Sequence, residues 1–340
     1  MRSPSAPAIL ACVLLAGLAA CGRQADLVVY CSLDREHSER ILALFEERTG
    51  LKVEGQFDVE RNKTVGMVNR IIAERDRPRA DVYWNNEIAQ TIRLKDLGLT
   101  QPYFSESARG IPEDFRDPDH HWTGFAARAR VILYRVDLLP AGTRPPQRLD
   151  DLADPAFAKS GAMAQPLTGT TLTHFTVLSE QRGAAAVLDW LERAKAAGLS
   201  FGGGNADVMR RVCEGDFVWC LTDTDDAAVA RRNGNPVATL HLDQEAGGAG
   251  TLLIPNTVCM IAGARHPDAA RKFLDFVLSP EVEALLAASR SEQVPLHPGV
   301  VTPPEVGLPD RDFRAMKVDW PAAAALLKDR AEAFAEVFVR

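Results

Sequence analysis

Phe217-Val-Trp-Cys-Leu-Thr-Asp-Thr-Asp-Asp226 decides how the rest of the chain is read. Residues 217–221 are a short apolar run, the composition of a buried strand. Asp223, Asp225 and Asp226 then crowd three carboxylates into four positions, and Ala-Ala-Val-Ala-Arg follows with helical composition. Strand, acidic turn and helix start, in that order, belong to an α/β sheet, where ligands collect at the carboxyl ends of strands. The acids have two readings. One can cap the helix and another can complement its macrodipole. A third adds repulsion that a ligand would relieve. Cap chemistry and a ligand site both remain open on this pattern.

The same alternation extends in both directions. Apolar runs at 27–30, 51–57 and 80–84 read as strands, separated by stretches of helical spacing at 36–49 and 63–73. Another helix begins near Ile88, and residues 101–121 turn to Pro, Gly and charge, a long surface loop. Residues 128–134 and 252–262 are apolar segments long enough to cross between two lobes. A strand at 162–165 precedes Pro166-Leu-Thr-Gly-Thr-Thr171, whose hydroxyls and backbone N–H groups at a helix start suit either an anion or plain capping. Helices are expected at 184–197, 206–212, 267–278, 280–288 and 320–339. The Gly-rich 202–205 loop lacks the Gly-Lys-Ser/Thr of a phosphate loop.

The 340 residues allow about two domains, and 46% hydrophobic with 25% charged residues is ordinary for a globular protein. Residues 1–21 stand apart. An apolar stretch too short to span a bilayer ends in Leu18-Ala-Ala-Cys21-Gly22, the pattern of a bacterial lipobox with Cys21 as the lipid-bearing residue; an ordinary secretory signal is the other reading. Without that leader the net charge is −8, from 38 basic and 46 acidic residues. Such a balance argues against nucleic acid or an anionic membrane surface as partner and favours a cationic ligand. Cys213 and Cys220 are the closest pair of the remaining thiols, and buried free thiols are the simpler expectation for them.

Hydrolytic chemistry finds no support. There is no Gly-x-Ser-x-Gly elbow, and the seven histidines lack metal-protease spacing. Adjacent Asp225 and Asp226 do not flank a bond as paired glycosidic acids must. An enzyme is therefore not expected, and no catalytic cofactor. Asp34, Glu87, Asp225 and Asp226 all follow strands, and hard oxygen ligands suit iron(III), calcium or magnesium; an amine would suit them equally well.

The order of Ala80-Asp-Val-Tyr-Trp84, Arg128-Ala-Arg-Val-Ile-Leu-Tyr134, Pro166-Leu-Thr-Gly-Thr170, Glu214-Gly-Asp-Phe-Val-Trp-Cys-Leu221 and His266-Pro-Asp-Ala-Ala-Arg-Lys-Phe-Leu-Asp-Phe276 resembles the periplasmic ferric-iron-binding proteins of ABC importers. The resemblance covers nearly all of the mature chain. It implies a two-lobed class II periplasmic-binding-protein-like fold, each lobe a mixed sheet flanked by helices, with two crossing strands as hinge. Lobe one would hold 26–126 and 258–310, lobe two 127–257 and 311–340. It also implies a periplasmic protein that passes its ligand to an inner-membrane permease; the lipobox would anchor it through Cys21, and with no feature asking for an oligomer a monomer is expected.

The family's metal positions fall on Asp34, on Asn86 with Glu87 beside it, and on Asp225 and Asp226, where the family carries two tyrosines. The family's phenolates are thus absent, and carboxylates discriminate less among hard cations. Its companion-anion site falls on Thr168, Gly169, Thr170, Asn205 and Asp223. The resemblance accordingly implies iron(III) or another hard cation, with or without an anion. An aminoalkylphosphonate or small organic cation is the alternative, for which Trp84 or Trp122 would offer a stacking face, although core packing is the favoured reading of each.

Overall fold

The computed structural model describes residues 25–58 and 65–339. Cys21 and the leader lie outside the described residues. The strands are β1 (Leu27–Cys31), β2 (Val53–Phe57), β3 (Val82–Asn85), β4 (Thr100–Gln101), β5 (Thr123–Arg135), β6 (Gly161–Ala164), β7 (Ser200–Gly202), β8 (Trp219–Asp223), β9 (Val237–His241) and β10 (Leu253–Ile261). The helices are α1 (Arg35–Thr49), α2 (Val65–Ala73), α3 (Ala89–Asp96), α4 (Pro155–Ala158), α5 (Gly169–Arg182), α6 (Ala184–Ala197), α7 (Asn205–Glu214), α8 (Thr224–Arg232), α9 (Pro267–Val277), α10 (Pro280–Ala287) and α11 (Trp320–Val339). Short β4 and β7 have no counterpart in the sequence reading; two or three residues are too few to show a period.

The strands run in the order β2-β1-β3-β10-β5-β8-β6-β7, with β4 against β10 and β9 against β5. Parallel pairs β1–β2 and β1–β3 form one half, and β6–β7 and β6–β8 form the other. β5 joins the halves. From Thr123 to Ala129 it pairs antiparallel with β10, and from Arg130 onward with β8 and β9. The strand expected at 128–134 is thus real but longer, and its middle is where one half passes to the other.

Alternation along β5 explains its burial. Phe125, Ala127, Ala129, Val131 and Leu133 enter the core shared with α1, α7, α8, α9 and α10. Ile132 faces the other core, shared with α2, α3, α5, α6 and α11. Successive strand residues point to opposite faces, so Arg128 and Arg130 share the face of Ile132. α11 packs on α5 and α6 and also on α3. The C-terminal helix, which the lobe division groups with lobe two, thus also reaches α3 of the other half.

Near the crossing, β5 carries a bulge. The β5–β10 register shifts between Ile254 and Asn256, and Ala126 sits at φ +44°. A non-glycine residue holds that conformation only when its surroundings dictate it. Here Glu283, fully buried on α10, accepts the Ala126 N–H at 2.7 Å, and the Asn256 amide donates to the Ala126 carbonyl. Glu283 also accepts from the Leu296 N–H at 2.9 Å, the His297 N–H at 2.8 Å and His297 Nδ1 at 2.8 Å. Burial pushes the His297 pKa down, but its bond to Glu283 outweighs that and raises it. Replacing Glu283→Ala strands these donors in the interior. The expected loss is about 3–5 kcal/mol of stability, read by urea unfolding.

Candidate functional site

A cleft of about 630 Å³ opens at the carboxyl ends of the strands in both halves. One wall comes from Leu33 and Asp34 after β1, Asn86 after β3, and Gly66 and Asn69 on α2. The facing wall comes from Gln165 after β6, Thr168–Thr171 at the start of α5, Gly203–Ala206 at the start of α7, and Asp223, Asp225 and Asp226 at the start of α8. Arg128 of β5 lies between them. The starts of α1, α5, α7 and α8 thus bring the positive ends of their dipoles to one space, which favours carboxylates there.

β8 is buried throughout and delivers Asp223 to the cleft floor. Asp223 occupies the N-cap position of α8, yet its side chain caps nothing. Its Oδ1 accepts from Arg130 Nη1 at 2.7 Å, and its Oδ2 accepts from Thr170 Oγ1 at 2.6 Å and Asn205 Nδ2 at 3.0 Å. Asn205 also donates to Thr170 Oγ1 at 2.8 Å and accepts from Thr171 Oγ1 at 3.0 Å. The anion-binding residues expected from sequence do come together, but they close on the protein's own carboxylate. Burial pushes the Asp223 pKa up; Arg130, then Arg128 and the Thr170 bond, outweigh it and hold the carboxyl below the usual range.

Asp225 and Asp226 are half-buried beside it, and one ligand oxygen from each of the three acids falls within 4.8 Å of the others. Asp226 accepts from Thr222 Oγ1 at 2.7 Å, and Asp225 accepts from the Asp226 N–H at 3.0 Å. Arg128 Nη1 stands 3.7 Å from Asp225 and its Nη2 donates to the Asn86 carbonyl, so one buried guanidinium touches both walls. Burial raises the Asp225 pKa to about 6, with Arg128 opposing and Asp223 and Asp34 reinforcing. Burial and the neighbouring Asp225 and Asp223 carboxylates raise that of Asp226 to about 8. Near neutrality Asp226 thus keeps its proton, which a cation would displace, while Asp225 is mostly ionised.

The remaining expectations divide. Asp34 and Asn86 line the cleft. Glu87 does not: it is buried, and its carboxylate accepts from the Ala89 and Gln90 N–H groups at 2.7 and 2.8 Å and from Asn85 Nδ2 at 3.0 Å. It holds the start of α3, the capping role that an acid after a strand fills equally well. Of the two readings of the tryptophans, core packing holds: Trp84 is fully buried against Phe125 and Phe273, and Trp122 is buried too. Neither lines the cleft. Tyr30, Tyr83 and Tyr103 are bonded to Glu74, Ser32 and Asp275, away from it. Cys31, Cys213, Cys220 and Cys259 are free thiols. Sequence reasoning missed Arg128 and Arg130. The signal was present, since two arginines at alternate positions in an apolar run must share one face.

The chain belongs to the family of bacterial extracellular solute-binding proteins, which it matches over residues 91–313. It is 26% identical over 303 residues to Iron uptake protein A1 of Synechocystis sp., covering 83% of this chain and 80% of that one. It is 26% identical over 310 residues to the Major ferric iron-binding protein of Neisseria meningitidis serogroup A, covering 89% of each. Its fold matches that of iron-bound HitA from Pseudomonas aeruginosa with a TM-score of 0.81, at 22% identity, over 92% of this chain and 98% of that one. The two-lobed periplasmic-binding fold expected from sequence is the one observed. Among the described residues, no helix is long and apolar enough to cross a membrane.

The raised Asp226 pKa has a consequence for stability. In the unfolded chain an Asp titrates near ~3.9. Asp226 is therefore protonated in both states at low pH, and the folded state is penalised as pH rises towards its folded value of about 8. Asp226→Asn keeps an acceptor for Thr222 and removes the charge. The ligand-free variant should melt above the wild type at pH 8 and level with it near pH 4, by calorimetry.

Proposed function

We propose that this protein captures a hard cation, iron(III) foremost, between its two lobes and hands it to an inner-membrane ABC permease. The observation that carries the reading is the pair Asp225 and Asp226 gathered beside Asp223 in the cleft, with Asp34 on the opposing wall. Carboxylate oxygens are hard ligands and suit hard cations. Relatives named for ferric iron support iron within that class. The role is capture, with no chemical step at the site. In this reading Asp225 and Asp226 replace the phenolates of the resembling family, and Asn86 contributes from lobe one.

The lobes are taken as 26–126 with 258–310 and 127–257 with 311–340, closing as a hinge motion about β5 and β10. The protein works as a periplasmic monomer, held to the membrane through lipid on Cys21. The organic-cation reading gains nothing from the cleft, since the tryptophans that would stack on an amine are in the core.

Thermal melting of the purified mature protein against ferric nitrilotriacetate, calcium and magnesium tests this reading. A cation at a hundredfold excess over its dissociation constant should stabilise the fold by ~2.7 kcal/mol. Asp225→Ala combined with Asp226→Ala should abolish that gain while the apo protein still folds. A shift unchanged in the double variant overturns the site, and no shift with any cation overturns the function.

Proton competition gives an independent check. Cation binding requires ionised carboxylates. Affinity should climb as pH rises through about 6 and towards about 8, where Asp225 and Asp226 lose their protons, and level off above. Equilibrium dialysis across that range with calcium or magnesium avoids ferric hydrolysis; a flat profile would remove these two residues from the site.

A further inference from the structure

The second lobe contains the donors of an anion receptor. Arg130 supplies a buried guanidinium, Thr170 a hydroxyl at the start of α5, and Asn205 an amide at the start of α7. Charge-assisted bonds of this kind, beside helix N-termini, are what a phosphate or carboxylate from solvent would use. All three donors already converge on the Asp223 carboxylate. The distances of 2.6–3.0 Å leave both of its oxygens engaged by the chain itself.

We propose that Asp223 is a built-in counter-anion: it fills the socket of Arg130, Thr170 and Asn205, so that the protein takes its cation without a companion anion and rejects ligands bearing a phosphate or phosphonate. This rests on the cation reading of the same cleft. The charge arrangement requires it. Asp223 neutralises Arg130 within the floor, and Arg128 is already shared with Asp225. An added phosphate would lie beside three carboxylates gathered within 4.8 Å, with the charge of Arg130 already met by Asp223 at 2.7 Å. Like charges at such separations repel by about 1 kcal/mol or more even in water, and by more in a half-buried cleft.

Register makes the arrangement permanent. Arg130 and Asp223 are direct cross-strand partners on β5 and β8, so the carboxylate is delivered to the socket by the sheet and not by a mobile loop. Specificity thus resides in one position: a neutral residue at 223 would leave Arg130, Thr170 and Asn205 facing open space.

Metal-free phosphate titration by calorimetry comes first. The wild type should bind no phosphate, whereas Asp223→Asn should bind it at least about tenfold more tightly. Asp223→Ala, which vacates the socket, should gain phosphate binding as well and covers the case in which Asn refills it. Ferric nitrilotriacetate is then titrated into each protein with and without phosphate. Wild-type affinity should be insensitive to phosphate, and the variants should depend on it. Phosphate binding by the metal-free wild type, or no gain in either folded variant, overturns the proposal. If no protein takes iron in any buffer, the cation reading and the cargo half of the proposal fall, and the metal-free titration still decides whether Asp223 fills the socket.

Discussion

Arg130 and Asp223 face each other across β5 and β8, and the second lobe's share of the cleft is fixed by that pairing. Both side chains are buried, so neither tolerates losing the other: an uncompensated charge in the interior costs several kcal/mol. A slip of one residue between the strands would send Arg130 into the apolar face occupied by Val131 and Leu133. The pair therefore specifies register as well as charge. Once it is set, Thr170 and Asn205 have one place to donate, and the starts of α5 and α7 are drawn to the end of β8.

Much of the fold was legible because periodicity and punctuation report local structure. The strand, acidic turn and helix at 217–231, the crossing strands, and the helices on both faces follow from spacing alone. What the spacing did not carry was which of two uses a polar residue serves. Glu87 and Asp223 both stand between a strand and a helix, where an acid is equally fit to cap or to face a ligand. Their roles came out opposite to a simple reading. Glu87 caps α3, and Asp223, in a cap position, caps nothing and binds an arginine. That arginine arrives from residue 130, 93 positions away in sequence, a contact that no local pattern encodes. Trp84 is the opposite case, since β3 is covered on both faces and the core packing favoured for an aromatic there is what is found.

The cleft balances opposed demands. Helix starts and two arginines make the space favourable to negative charge, and the chain spends that favour on its own carboxylates. Asp223 takes the strongest donors and is held ionised. Asp225 and Asp226 receive less, and Asp226 keeps its proton near neutrality, so the floor is only partly charged. Self-repulsion in the empty state is limited this way, without removing the ligand oxygens.

The two hydrophobic clusters lie on opposite faces of the sheet, and each runs through both halves: Phe45 and Val208 belong to one, Ile92 and Phe175 to the other, and α11 stitches α3 to α5. The lobes are consequently coupled through shared apolar packing. Neither can lose its packing without exposing apolar surface that the other depends on, which favours unfolding of the two together. A ligand that binds only the folded state therefore stabilises the packing of both halves, and shields from proteolysis segments that it never touches.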